Sequence, residues 1–326
     1  MLMGCATIQQ DTISLDCSRL DNEIRDCKFW DKMTTHMIEI ETDNPAMQIN
    51  DFCFIDSMAY ILTMGNGIIS VNTQTGEKIK EVKRTGNAKN EMIYPTCINV
   101  DESFLYVYDP AKRHIQVLDR DLNFIKNISV TERFNSFVKY DKGFLCEETR
   151  NGTKILMLNN DGEKVFEQTI SNIKEGPLNI HSGFNSFVKD RLEHIYVKGA
   201  YSDSIYVLDD KGLNLKYDIN LGGSYPNKTT DELNNIDNSA ALGFYVFDTY
   251  LLFSTQTNVI QYHLFDFKNS KHYYGVPTRI NDVPFFPKYQ NGNRLANVVF
   301  KERVKRDKDD PKLEYKLAIL IYDYKK

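Results

Sequence analysis

Short runs of alternating apolar and polar residues follow one another along most of the chain, broken by Gly, Asn, Asp and Pro. Residues 105 to 128, Leu-Tyr-Val-Tyr-Asp-Pro-Ala-Lys-Arg-His-Ile-Gln-Val-Leu-Asp-Arg-Asp-Leu-Asn-Phe-Ile-Lys-Asn-Ile, are representative. Side chains on a strand point to opposite faces with period 2, and Ile, Val, Tyr and Phe are the residues that suit a pleated, half-buried surface, so these runs predict strands. The polar knot Asp109-Pro110-Ala111-Lys112-Arg113 between them predicts a turn, because Asp and Pro are favoured there for conformational reasons.

The pattern repeats. Phe134-Asn135-Ser136-Phe137-Val138-Lys139 returns unchanged as Phe184-Asn185-Ser186-Phe187-Val188-Lys189, and the segment from Ile155 matches the one from Ile205 at the same offset of 50. Carrying that second template along the chain gives further copies from Ile69, Ile115 and Tyr262 and a truncated one from Ile319, spaced by 46, 40, 50, 57 and 57 residues. Periods of this size built from short strands are the signature of propeller blades. The expected fold is an all-β, six-bladed β-propeller of four-stranded antiparallel blades, with blade 2 strands near 96–101, 104–109, 113–118 and 123–130. Gly76, Gly162, Gly212 and Asn269 share one template position and predict a tight hairpin needing positive φ. Leu122 holds that position in blade 2 and predicts a hairpin that turns differently.

The sixth copy ends at Lys326, where its outer strand should begin. An unpaired blade edge would template aggregation, so the alternating stretch His36-Met37-Ile38-Glu39-Ile40-Glu41 is expected to supply the missing strand and close the ring. Residues 34–326 then form one propeller, and residues 1–33 an N-terminal, lipoprotein-type segment and linker.

Composition refines this picture. At 326 residues and 41% hydrophobic content, one large all-β domain has ample core. A net charge of −5 and a pI near 5.8 supply no basic field, so nucleic acid is not an expected partner. No stretch of eighteen apolar residues occurs. Leu2-Met3-Gly4-Cys5 fits the cleavage site of a bacterial lipoprotein signal, although the charged and apolar regions of such a signal do not precede it here. Cys5 is therefore the expected lipidation site, and the membrane a partner only through that anchor. The six cysteines form no Cys-x-x-Cys pair and have no His cluster nearby in sequence, so zinc-finger and thioredoxin-like spacings are missing. Cys53, Cys97 and Cys146 sit in apolar runs and read as small buried hydrophobes; Cys17 and Cys27 are open to bridging in an oxidising compartment.

The chain resembles the six-bladed β-propeller lipoproteins of Bacteroides-like bacteria, related in fold to NHL and TolB-like propellers. The resemblance covers nearly everything after residue 30. It is carried by Asp203-Ser204-Ile205-Tyr206, by Leu215-Lys216-Tyr217-Asp218-Ile219, by Pro226, and by Asp309-Asp310-Pro311 before the last strand. Where that family commonly shows a G-x-G-P-G-E-like segment, this chain has Arg84-Thr85-Gly86-Asn87-Ala88-Lys89-Asn90-Glu91, lacking two of the glycines and the proline. The resemblance implies a cell-envelope location, periplasmic or outer-surface, and no assigned activity.

Candidate chemistry is sparse. No H-E-x-x-H, P-loop, G-x-S-x-G or Asp-box pattern occurs, the six histidines are scattered, and Lys305 to Asp310 reads as a solvated loop of mixed sign. Strand order puts the second-to-third-strand turns and the links between blades on one face, where the longest connections fall near 169–184, 220–238 and 276–294. A rigid scaffold presents binding residues on such loops. Tyr94, Arg113, Arg150, Tyr201, Tyr225, Tyr289 and Arg294 are the candidate ligand- or partner-binding residues. Asn99, Asn135 and Asn185, heading the inner strands, are candidate calcium ligands, as in some propeller lactonases. The expected function is non-enzymatic engagement of a protein, peptide or glycan by a monomer. The alternative is a hydrolase or lyase acting in the channel, with or without calcium.

Overall fold

A computed structural model describes residues 12–17, 22–40, 48–65, 67–150, 152–171, 186–199, 202–220, 240–256, 260–277, 280, 283, 285–305 and 312–325. The ring begins with four strands in succession, β3 (Ile49–Ile55), β4 (Met58–Thr63), β5 (Gly67–Asn72) and β6 (Lys78–Lys83), which make blade 1. Blade 2 is β7 (Cys97–Val100), β8 (Phe104–Asp109), β9 (His114–Asp119) and β10 (Phe124–Ser129); blade 3 is β11 (Ser136–Tyr140), β12 (Gly143–Glu148), β13 (Thr153–Asn159) and β14 (Lys164–Ser171). Blade 4 comprises β15 (Phe187–Lys189), β16 (Ile195–Lys198), β17 (Ser204–Asp209) and β18 (Gly212–Asn220), and blade 5 comprises β19 (Ala240–Phe247), β20 (Tyr250–Gln256), β21 (Ile260–Asp266) and β22 (Lys271–Gly275). Blade 6 has only three strands from the C-terminal end, β23 (Tyr289–Asn291), β24 (Arg294–Lys305) and β25 (Lys312–Tyr324). Its fourth is β2 (Met33–Glu39), which pairs antiparallel with β25 from Met33 opposite Tyr324 to Glu39 opposite Ala318. The closing strand is the predicted one, begun three residues earlier.

Alternation acquires a specific meaning in a ring. Leu105 and Val107 of β8 pack toward blade 1, whereas Tyr106 and Tyr108 of the same strand pack toward blade 3. Each middle strand is thus buried on both faces, which is why its run reads as almost continuously apolar. Among the described residues the buried apolar side chains form six clusters, one in each wedge between neighbouring blades, and the cluster of Ile38, Phe52, Ile61, Ile69, Ile319 and Ile321 joins blade 6 to blade 1.

The hairpin glycines show how blades dock. Gly76 and Gly162 have φ of 80° and 87°. A methyl group on Gly76 would strike the Glu39 carbonyl and Ile38, and one on Gly162 the Ser129 carbonyl and Ile128. Gly76 meets β2 just as Gly162 meets β10, an independent sign that β2 is the outer strand of blade 6. Two hairpin expectations are corrected. Leu122 does not turn differently: it takes the same left-handed conformation (φ 64°), held there by complete burial between blades 1 and 2 and by the Arg84 guanidinium donating to its carbonyl at 2.6 Å. In blade 5 the positive φ falls on Ser270 (52°), not Asn269, whose amide instead donates to Asp266 Oδ2.

The knot at Asp109 is a turn of structural weight. Its buried carboxylate accepts from the backbone N–H groups of Ile93, Tyr94, Ala111 and Lys112, tying the turn between β8 and β9 to the link that enters blade 2. Lys112 Nζ completes the knot by donating to the carbonyls of Ala88 and Glu91.

The described part of residues 1–33 is not a linker. β1 (Ile13–Asp16) adds a fifth, parallel strand to the outer edge of blade 4. Asn22 and Glu23 bond along the outer edge of blade 5. Phe29 is fully buried, stacked on Tyr324 with ring centroids 4.9 Å apart. This belt has apolar residues at Leu15, Ile24, Phe29 and Met33 because each fills a wedge mouth between blades 4, 5 and 6. Cys17 and Cys27 are both buried free thiols, packed in different wedges.

Deleting residues 1–42 removes the belt together with β2, leaving blade 6 without its outer strand. Calorimetry should show the melting temperature of the whole domain falling by at least about 10 °C, or no cooperative transition at all; a truncated chain that melts with the full chain excludes this closure.

Candidate functional site

Antiparallel order places the β4–β5-type turns and the links between blades on one rim, here the upper, and the β3–β4-type turns on the lower. The inner strands enclose a central channel of about 880 Å³. Its upper mouth carries Asn50, Thr96, Asn135, Ser136, Ser186 and Lys288, while its lower mouth carries Asp56, Asp101, Glu102, Asp141, Glu193 and Arg294. Between them the wall mixes apolar side chains, Phe52, Ile98, Phe137 and Phe187, with polar ones such as Asp51, Asn99 and Gln290.

Inner strands of a ring diverge, so their backbone groups lack a continuous neighbouring ladder and side chains must complete them. Asp51 Oδ2 accepts from Ile98 N at 2.9 Å, and Asp51 Oδ1 accepts from Tyr289 Oη at 2.7 Å, linking blades 6, 1 and 2. Burial pushes the Asp51 carboxyl up, against the opposing pull of the Tyr289 hydroxyl. The Tyr289 phenol rises through its own burial and then the Asp51 charge. At the lower rim the inner strands of blades 4 and 6 touch directly, Gly292 N donating to Lys189 O at 3.0 Å. Gln290 ties in blade 5, its side-chain amide bonding both the N–H and the carbonyl of Val246.

The unchanged hexapeptide has a counterpart in space. Its two serines head the inner strands of blades 3 and 4, and both hydroxyls donate to Glu147 Oε2, at 3.1 Å from Ser136 and 2.6 Å from Ser186. Ser136 pairs with Glu147 on the next strand, and the backbone of Ser186 pairs with Lys198 in the same way. Equivalent positions of adjacent blades therefore carry a buried acid and a buried base. Burial lowers the Lys198 ammonium to about 8, with Asp203 and then Glu147 resisting the shift. Ser136 and Ser186 line the channel; Glu147 and Lys198 stand behind them, outside its lining. At the other end of the hexapeptides, Lys139 and Lys189 line the channel, Lys189 paired with Glu193 at 2.9 Å and Lys139 donating to the Tyr140 carbonyl.

The predicted binding residues separate. Tyr94, Arg113 and Arg150 are exposed on the upper rim. Tyr289 is not on a loop but in the channel wall, its ring beneath Lys288 at 5.3 Å. Arg294 opens β24 on the lower rim, where its Nε donates to Asp323 Oδ1 at 2.9 Å and its guanidinium lies 5.6 Å over Phe54. The sequence alone set β23 too late, because its three residues are too few to show alternation. Tyr201, Tyr225, Asn185 and Cys5 lie outside the described residues. Of the other proposed calcium ligands, Asn99 Oδ1 accepts from Lys139 N at 3.0 Å, and Asn135 Oδ1 accepts from Thr149 N at 3.1 Å and Thr149 Oγ1 at 2.9 Å. Glu147 and Lys198 were not anticipated; the signal was a charged residue closing each of the apolar runs Phe144-Leu145-Cys146 and Ile195-Tyr196-Val197.

The sequence matches a family model described as a 6-bladed beta-propeller, DUF5128, over residues 11–291. The chain belongs to this family. No curated protein matches it significantly. Among solved structures, it is similar to a putative exported protein of Bacteroides fragilis, at 12% identity and a TM-score of 0.68, covering 97% of this chain and 100% of the other. It is also similar to a member of the duf4221 family from Bacteroides vulgatus, at 11% identity and a TM-score of 0.53, covering 89% and 96%. At these identities the likeness is one of fold.

The family fold makes Lys198 testable through stability. Its folded pKa of about 8 lies below the 10.5 of an unperturbed lysine, so between those values the unfolded chain holds a proton that the folded chain lacks. Stability should rise with pH across that window, by up to about 3 kcal/mol. Urea titrations of wild type and Lys198→Met at pH 7.5 to 10.5, values bracketing that window, should show wild type gaining on the variant as pH rises; parallel curves exclude the buried ammonium.

Proposed function

We propose that the protein is an exported, envelope-anchored binding propeller whose upper face engages a protein or peptide, with a glycan as the alternative ligand class. One observation carries the reading. Of the eleven exposed large apolar side chains among the described residues, five stand on upper-rim connections: Met64, Ile93, Tyr94, Val276 and Phe286. Four others lie on outer strands and two at the lower rim, so among the described residues the upper rim carries more of the exposed apolar side chains than the outer strands or the lower rim. These five belong to the sector from the blade 5–6 link to the blade 1–2 link, beside a mouth of short hydrogen-bonding side chains. Apolar anchors with a polar, hydrogen-bonding centre suit a polypeptide segment better than a small substrate. The likeness to a putative exported protein of Bacteroides fragilis and the Leu2-Met3-Gly4-Cys5 stretch support the envelope location.

A Tyr94→Ala, Arg113→Ala, Arg150→Ala variant should fold normally, since exposed substitutions away from caps and buried networks shift stability by about 0.5 kcal/mol or less. A partner captured from envelope extract by crosslinking should bind that variant at least about tenfold more weakly, equivalent to about 1.4 kcal/mol. Unchanged affinity for every captured partner excludes the upper face. A calcium-dependent rise in melting temperature, reversed by chelator, is the result that favours a lactonase-like hydrolase or lyase.

Lipid anchoring is tested separately. With the natural upstream signal present, the protein should partition with membranes and Cys5→Ala should release it to the soluble fraction, several acyl chains being needed for stable anchoring. Equal membrane retention of Cys5→Ala excludes the anchor.

A further inference from the structure

The fold assembles a cluster that sequence spacing does not reveal. Cys17, just beyond β1, meets His263 of β21 and His272 of β22, and one ligand atom from each lies within 4.8 Å of the others. All three are buried, at 8%, 4% and 8% exposure. His263 Nδ1 and His272 Nε2 face each other at 3.1 Å. Two imidazole lone pairs cannot face each other unaided; a proton or a cation must lie between them. Nitrogens bound to one tetrahedral zinc ion stand about 3.3 Å apart, given Zn–N bonds of about 2.0–2.1 Å, so the separation is that of ligation, and a turn of the near-parallel rings, 8° between their planes, aims both nitrogens at one ion.

We propose that Cys17, His263 and His272 form a buried binding site for Zn²⁺, a clasp that fastens the N-terminal belt to blade 5. The donor set of one thiolate and two imidazoles is the borderline-soft kind that zinc prefers over oxygen-seeking cations. Outer hydrogen bonds commonly fix which histidine nitrogen faces the metal. Here His263 Nε2 bonds Thr255 Oγ1 at 3.3 Å, which leaves Nδ1 for the ion. The rings are held in place by aromatic neighbours, His263 parallel to Phe253 at 4.7 Å and His272 parallel to Phe265 at 4.3 Å. Each imidazole ligates through one nitrogen and keeps its proton on the other, and the Cys17 thiol releases its proton to solvent as the sulfur–metal bond forms. The fourth position falls to water.

The consequence is structural. β1 holds blade 4 by only four paired residues, and a metal at its end joins the belt to the next blade by bonds that outlast local fraying. The same ion would connect strands β21 and β22 across their diagonal.

The test uses the full chain, stripped with chelator and loaded with Zn²⁺ or with Co²⁺ as a spectroscopic substitute. One zinc per chain by mass spectrometry is expected, with a melting temperature raised by about 4 °C when free zinc exceeds Kd a hundredfold. Bound Co²⁺ should show thiolate-to-cobalt charge-transfer absorption that disappears in Cys17→Ser and persists in Cys53→Ser. Should Cys17→Ser fail to fold, His272→Gln must lose stoichiometric cobalt while its charge-transfer band vanishes. Substoichiometric zinc in the wild type, or a thiolate band surviving in folded Cys17→Ser, overturns the site; stoichiometric copper without zinc overturns the assignment of the ion.

Discussion

The pairing of β2 with β25 is the interaction on which the molecule depends. A propeller has no central core; its apolar surface lies in wedges between blades, and each wedge exists only if both neighbours are held in place. The wedge between blades 6 and 1 draws Ile38 and Ile40 from the N-terminal side, Ile319 and Ile321 from the C-terminal strand, and Phe52, Ile61 and Ile69 from blade 1. Seven backbone-paired positions thus convert an open arc of sheets into a ring. The channel and the shared orientation of the upper-rim loops both follow from it, because an arc free to splay would fix neither its mouth nor the spacing of its connections.

Closure also settles how outer edges are managed. Blades 4, 5 and 6 have theirs covered by successive parts of the belt, by β1, by Asn22 and Glu23, and by β2. Among the described residues no further strand pairs with β6, β10 or β14 of blades 1, 2 and 3, and the sequence places charge on two of these edges: Lys78, Lys80, Glu81 and Lys83 on β6, and Lys164 and Glu167 on β14. Charged side chains on an open edge discourage a foreign strand from pairing with it. The covered edges can afford Leu213, Tyr217, Ile219 and Tyr273, all buried.

Legibility in the sequence followed distance along the chain. Blades were readable because a hairpin is local: alternation, the recurring Asn or Asp at the strand end, and the glycines of the outer hairpins all act within a few residues, and the blade 2 strands fell within a residue or two of their expected places. β2 was readable only as the answer to a missing partner. The belt was not, since β1 is four residues long and pairs with a strand two hundred positions away. Leu122 misled because a φ of 64° is ordinarily unfavourable for leucine, and only tertiary burial reveals what offsets that strain. The candidate site divided in the same way: the exposed upper-rim residues were foreseen from strand order, whereas Arg294 required the true limits of a three-residue strand, and the meeting of Cys17 with His263 and His272 required the ring itself.

The two identical hexapeptides carry a consequence for assembly. Inner strands β11 and β15 are locally indistinguishable, so nothing in Phe-Asn-Ser-Phe-Val-Lys tells the folding chain which blade it is building, and repeat proteins are prone to misassembly among such look-alikes. The strands that follow them differ at the residue opposite the shared serine, Glu147 in one and Lys198 in the other. In the native order these opposite charges act on each other, Glu147 resisting the fall of the Lys198 ammonium. A second copy of either blade in its neighbour's place would replace this attraction of opposite charges by the repulsion of like ones, acid near acid or base near base. The buried pair thus works as an address, telling apart two blades that their first strands cannot.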